Sequence, residues 1–401
     1  MNYQLQLYGD GIHDDFPAIQ EMLDSGISCV YLPSPKVNYL ISATLKIHSN
    51  QTLKLDSYTL IKLADHADCC MAENADPEHW NTNITLDGGI WDMNHKNQRP
   101  NPYHFPDEYG KKYNDYIREL NFSADNRLFP NTYTGHCFRF NSIKGFEFRN
   151  ITIRNPVVYG GHFGFIENFT VENIIFDYTE GSPKLWNLDG VHFEGGCRNG
   201  VIRNLKGACH DDLVALTSDD GLNGDIDNIL IDGIFAEGCH SALRMLSYKH
   251  HIKNVHLTNV FGTFYLYVAC MTKYYNIPDA VGRFENIVID NVFASFCKGT
   301  VDVAGNYEPF LVIGDNVHVT RLKIENFIRE ESVCPLPTVG IGKNTFVDNL
   351  EMDNVHLENK TDNRIICVLN NGIIKRFTAV NCICENASFL ENKGIIEKAN
   401  I

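Results

Sequence analysis

The sequence predicts an all-β fold, a single-stranded right-handed parallel β-helix that forms one solenoid domain over residues 1–401. Three observations lead there. First, from about residue 50 one phrase recurs, apolar-x-Asn-apolar-x-apolar-x-Asn-apolar. It reads FRNITIRN at 148–155, VENIIFDY at 171–178, IDNILIDG at 226–233, IKNVHLTN at 252–259 and FENIVIDN at 284–291. It returns as VTRLKIEN at 319–326, VDNLEMDN at 347–354 and IKRFTAVN at 374–381, and CRNGVIRN places position 199 between 173 and 228. Second, apolar and polar residues alternate within each copy, the mark of a half-buried strand. Third, the copies recur at a variable spacing of 23 to 35 residues with Gly and Asn at the corners. A period of that size marks a solenoid rather than a sandwich, and stacked Asn side chains would satisfy one another and the turn backbone.

The elements follow in order. Residues 1–27 form an N-terminal cap, in which GDGIHDDFPAIQEMLDSG (9–26) reads as a loop and a short helix. Asp14 or Asp15 can cap that helix, Pro17 suits its first turn and Gly26 ends it. Ile19, Met22 and Leu23 give it one apolar stripe, enough to cover an otherwise exposed sheet end. Strands follow at Cys29–Pro33 and Tyr39–Ile41. The solenoid then runs from about residue 28 to 390 in roughly ten coils. Residues 92–135 break the rhythm as a polar, aromatic insertion expected to face the groove. There Tyr103, His104, Phe105 and Tyr109 would offer stacking surfaces to sugar rings. A smaller insertion is read at 262–283, and residues 391–401 read as a frayed or capping tail.

Composition bounds the function. At 44% hydrophobic the chain can build a substantial core, and no apolar run reaches the ~18 residues of a membrane span. The net charge of −16 argues against nucleic acid as a partner and against a generally basic surface for acidic polymers. The start, MNYQLQLYGDG, has neither the basic nor the apolar region of a signal peptide. The thirteen cysteines lack metal-ligand spacing and read as small buried hydrophobes. A reducing, cytoplasmic compartment is therefore expected, unless a signal has been removed.

The chemistry concentrates in WNLDGVHFEGGCRNGVIRNLKGACHDDLVALTSDDG, residues 186–221. Asp189 and Asp211 are 22 residues apart (211 − 189), about one coil, so three carboxylates can meet when Asp212 is included. Neighbouring residues of a strand point to opposite faces. Asp211 and Asp212 therefore share a cleft only if one sits at the bend where the strand starts. Crowded carboxylates raise the pKa of at least one, giving an acid beside a base, as glycoside hydrolysis needs. Turn capping is the competing role for these aspartates. His240 lies about one more coil on and is placed to tune the acid, or serves structure. Arg244 and Lys273 follow, either to grip substrate or to neutralise the aspartates.

Four stretches resemble the polygalacturonases, glycoside hydrolase family 28, within the wider pectin-lyase-like β-helix superfamily. The family pattern Asn-Thr-Asp-Gly, Gly-Asp-Asp, Gly-His-Gly and Arg-Ile-Lys is matched by Asn187-Leu188-Asp189-Gly190, His210-Asp211-Asp212, Cys239-His240-Ser241 and Met271-Thr272-Lys273. The N-terminal GDGIHDDFPAIQ also resembles the opening of many superfamily members. The resemblance implies an inverting hydrolase with Asp211 as general acid and Asp189 and Asp212 activating the water. It implies that His240 adjusts the protonation of Asp211, while Asn187 and Lys273 touch the substrate. His210, both replaced glycines around His240, and Met271 depart from the pattern. His210, Arg244 and Asp219-Asp220 are then available for a different glycan. An oligosaccharide or polysaccharide substrate follows, with neither metal nor cofactor. Two other readings stay open: a polysaccharide lyase or intramolecular glycosyltransferase on this fold, and a non-catalytic glycan-binding β-helix.

Overall fold

The computed structural model describes residues 6–102, 111–112, 127–178, 187–274, 277, 279–299 and 307–401. The chain winds as a right-handed parallel β-helix whose strands pair only with the coil before and the coil after. One face is followed through twelve successive parallel pairings, from Cys29–Leu32 to Ile395–Asn400. That is more coils than the repeat phrase suggested. A second face runs from Leu45–Ile47 through Val191–Glu194, Asp212–Thr217 and Val339–Ile341 to Ala387–Asn392. A third begins at Tyr39–Ile41 and Leu60–Leu63 and ends at Ile383–Glu385.

Alternation builds these sheets. Gln51–Leu55 is buried at every second residue, and Phe146, Phe148, Ile151 and Ile153 enter the same core. One continuous apolar cluster runs the length of the coil, with Phe138, Phe148, Phe163 and Phe193 packed ring to ring across successive turns. Among the described residues all thirteen cysteines are free, and eight of them are buried, as small hydrophobes would be. No helix among the described residues is long and apolar enough to cross a membrane.

The corners carry the asparagines, nearly all in the left-handed region that Asn tolerates best after Gly. They form two columns rather than one. Asn168, Asn199, Asn228, Asn254 and Asn286 belong to the first. Asn150, Asn173, Asn204, Asn259, Asn291 and Asn326 belong to the second. Asn173 donates to Asn150 at 2.9 Å, Asn204 to Asn173 at 2.5 Å and Asn228 to Asn199 at 3.0 Å, whereas Asn254, Asn259 and Asn326 donate to Asp227, Asp232 and Asp290. Position 199 therefore does not lie between 173 and 228 in one column. The chain turns twice within each repeat, five residues apart (204 − 199), and both turns use Asn.

The N-terminal helix spans Phe16–Asp24 with Pro17 in its first turn and Ala18, Ile19 and Leu23 buried. Asp15 occupies the N-cap position, but its carboxylate accepts from the amides of Tyr8, Gly9 and Leu40. Asp14 takes the Phe16 amide at 3.0 Å. Gln20 bonds the Lys46 backbone through both its amide groups, which seats the helix on the first coils.

Two further sequence expectations change. The stretch 262–273 is not an insertion but the end of the strand Ile252–Lys273, buried at Phe264, Tyr265 and Tyr267–Met271 and paired with the preceding coil across a register shift. Residues 395–400 are a last rung paired in parallel with Ile373–Val380, not a tail. Tyr103, His104, Phe105 and Tyr109 lie outside the described residues. The returning end of that insertion does pack on the face that bears Asp189: Phe129 lies against His162 with ring centres 4.2 Å apart.

Candidate active site

On the second face, outward side chains stack in register. His162 lies beside His192, then Ala215, Arg244 and Cys270 on successive coils. One position at the strand entrance aligns Asp212 with Ser241 and Tyr267. The Gly190 amide donates to the Asp212 carbonyl, so Asp189 sits on the coil just before Asp212. Asp212 opens the strand Asp212–Thr217 and Asp211 occupies the bend before it. That placement frees the adjacent pair from strand alternation and turns both carboxylates to one side.

Each carboxylate has a distinct setting. Asp189 is buried, and its Oδ2 lies 2.7 Å from His192 Nδ1. His192 Nε2 in turn meets the Thr217 hydroxyl at 2.8 Å. Asp212, also buried, accepts from the hydroxyls of Ser241 and Tyr267, with the Arg244 guanidinium 3.8 Å away. Asp211 opens to solvent, with 24% of its side chain exposed against 4% for each of the other two. It accepts the Asn187 amide at 3.1 Å and has His240 Nδ1 at 3.7 Å. Donor atoms of Asp211, Asp212 and His240 all lie within 4.8 Å of one another.

Burial sets the protonation. It raises the Asp211 carboxyl, and the charge of Asp212 raises it further. Burial pushes Asp189 well up, with Asp211 and Asp212 adding to the effect. It also lowers His192. Arg244 pulls Asp189 and Asp211 back down.

Of the substrate-binding residues expected from sequence, Arg244 joins the carboxylates directly and Asn187 through its backbone. His210 is half-buried close enough to His240 that the two repel when charged, and burial lowers its pKa. Lys273 sits elsewhere. It pairs with Ser247 in register, three residues past the Arg244 position, and its amine donates to the Ile277 carbonyl at 2.7 Å. Met271, where the resemblance has Arg, points into the core.

The structure adds residues that sequence reasoning missed. Glu194 is buried, accepts the Leu222 amide and lies 2.7 Å from His162 Nε2; burial raises it to about 8. His162 Nδ1 faces His136 Nδ1 at 3.0 Å, and burial holds both imidazoles well below their usual range. Glu194, His162 and His136 thus form one buried hydrogen-bonded row. Tyr159 stacks on both His136 and His192. Of the pair Asp219-Asp220 that the sequence did single out, Asp220 approaches from the next turn and is raised to about 6 by burial. Its neighbour Asp219 serves structure, holding the amides of Tyr248, Lys249 and His250. One signal was present: GGHF at 160–163 and GVHF at 190–193 repeat on adjacent coils and place His162 and His192 in one column.

No protein-family model matches the chain, and no curated protein matches it in sequence. Solved structures do match in fold. A family 28 exopolygalacturonase of Yersinia enterocolitica superposes with a TM-score of 0.63 at 15% identity, over 98% of this chain and 77% of that one. An endo-xylogalacturonan hydrolase of Aspergillus tubingensis gives 0.57 at 15% identity, over 92% of this chain and 95% of its own. A surface adhesin of Streptococcus pneumoniae gives 0.51 at 14% identity, over 97% and 93%. These likenesses establish the parallel β-helix. The same fold thus carries hydrolases and an adhesin, so function must be argued from the site.

Proposed function

We propose that the protein is a glycoside hydrolase that cleaves a glycosidic bond in an oligosaccharide or polysaccharide with inversion. The observation that carries this is the division among three neighbouring carboxylates: Asp211 opens to the groove with a raised pKa, while Asp189 and Asp212 are buried around it. Asp211 is the general acid. Its proton goes to the glycosidic oxygen as the bond from that oxygen to the anomeric carbon breaks. A water attacks the opposite side of that carbon, and its proton passes to Asp189 or Asp212. His240 faces Asp211 and sets how readily the acid is reprotonated. Arg244 balances the negative charge of Asp212, which three carboxylates in one place require.

Asp211→Asn tests the assignment. The rate should fall on the order of 10²–10⁴-fold, with the fold intact, because an amide keeps the shape and loses the proton. NMR of the fresh product should show the anomer opposite to the substrate's. A product carrying a new C=C bond, seen by ultraviolet absorption, would instead identify a lyase. Glycan binding with no turnover on any substrate would leave the binding-protein reading.

A further inference from the structure

Beyond the carboxylates, the outward column continues toward the C-terminus. Arg244 aligns with Cys270, Cys270 with Val312, Val312 with Gly340, and Gly340 with Leu369. A groove of about 590 Å³ runs over these five positions. It joins the catalytic cluster through Tyr267, which lines it and whose hydroxyl binds Asp212. Coils stand about 4.8 Å apart, so four intervals span roughly 19 Å, the length of about three or four pyranose units.

Charge leaves this floor after Arg244. A thiol, an isopropyl group, a bare glycine and an isobutyl group follow it. Gly340 keeps the floor low, since a Cβ there would come within 2.5 Å of Pro309. The other charged residues lining the groove are Glu308 and Asp315, both acidic. Burial raises Glu308, so its site already disfavours negative charge. Asp315 accepts the Lys343 amide. Arg244, the one cation among the described lining residues, already faces Asp212. A polymer with a carboxylate on each unit would meet like charge and an apolar floor here, and would lose hydration without a compensating partner.

We propose that this groove binds about three units of an uncharged glycan chain next to the cleavage point, so that the substrate is a neutral glycan rather than a polyuronate. The inference rests on the reading that the carboxylates act on a glycan. Geometry and charge together support it: the length fits a short sugar chain, and the lining suits its neutral, partly apolar faces.

The test is a binding measurement on full-length Asp211→Asn protein, which separates binding from turnover. Calorimetric titrations would compare neutral tetrasaccharides of galactose, xylose, mannose and glucose with tetragalacturonate. At least one neutral tetrasaccharide should bind at least about tenfold tighter than tetragalacturonate. Val312→Trp, which fills the groove, should weaken that binding about tenfold or more, with the far-ultraviolet spectrum unchanged. Leu369→Trp, at the far end of the groove, serves if the first variant does not fold. Tetragalacturonate binding tightest, no glycan binding at all, or unchanged affinity in the folded Trp variant would each overturn the proposal. Turnover by the unmodified protein is scored separately. Neutral-glycan binding without turnover overturns the hydrolase reading alone, whereas turnover of a tightly bound oligogalacturonide overturns only the groove.

Discussion

At the scale of single residues, the site is governed by which carboxyl groups burial keeps neutral. Glu194 makes this measurable. In the unfolded chain its pKa sits near 4.5, and in the fold it is raised to about 8. Between those values the unfolded state releases a proton that the folded state retains, so stability falls as pH rises from about 4.5 to 8. Glu194→Gln reproduces the protonated acid, since its amide can donate to His162 and accept from Leu222. The variant should therefore gain on the unmodified protein as pH rises, by on the order of a few kcal/mol at pH 8. Thermal unfolding at several pH values reads this directly, and a stability difference independent of pH would refute it.

Metal dependence is testable at the same scale. Asp211, Asp212 and His240 bring three donors within 4.8 Å, a spacing that a divalent cation could also use. If Asp211 is the acid proposed above, a cation there would displace its proton. Prior treatment with a chelator should leave the rate unchanged, and restoration of a lost rate by added cation would reassign the cluster. Asp189, Asp211, Asp212 and His240 were legible in sequence because their spacings approximate one coil. Glu194 was not, and His192 showed only in the repeated GGHF and GVHF. Their importance depends on the strand register, which fixes what stands beside Asp189, and a lone His or Glu on a strand looks like any polar surface residue. Lys273 failed to reach the carboxylates for the same reason: matching a motif fixes its coil but not its position along the strand.

At the scale of the element, the corner asparagines do two jobs, holding left-handed backbone and bonding their neighbours above and below. Asn204 shows both, with φ of 55° and an amide given to Asn173. Asn204→Ala should cost about 1–2 kcal/mol from backbone conformation, plus about 1 kcal/mol for the hydrogen bond. Asn204→Gly should recover the conformational part. Denaturant unfolding of the two variants separates the contributions, and equal losses would show that side-chain bonding alone matters. The repeat itself was plain in the sequence. Its phase was not, because two Asn corners five residues apart make the phrase look nearly the same when slid from one column to the other. The last rung was hidden differently: Ile395 and Ile396 are too few to show a period.

At the scale of the molecule, each coil is stabilised only by its neighbours, so stability varies along the axis. The strand Asp212–Thr217 is buried at all six positions and pairs on both sides. The geometry of the carboxylate cluster is thus set in a well-packed part of the stack, away from either end. Ile395–Asn400 pairs on one side only, to Ile373–Val380, and Ile395 is 55% exposed. Ala387–Asn392 beside it is only half-buried. Local opening there breaks few apolar contacts, whereas opening at residues 212–217 separates two sheets of a continuous core. Native-state hydrogen exchange should therefore proceed inward from the C-terminal end: amides of 395–400 first, those of 387–392 next, and those of 212–217 only with global unfolding. Equal protection at both places would mean that the last rung is covered in solution, and sedimentation of the same sample would show whether a second copy covers it.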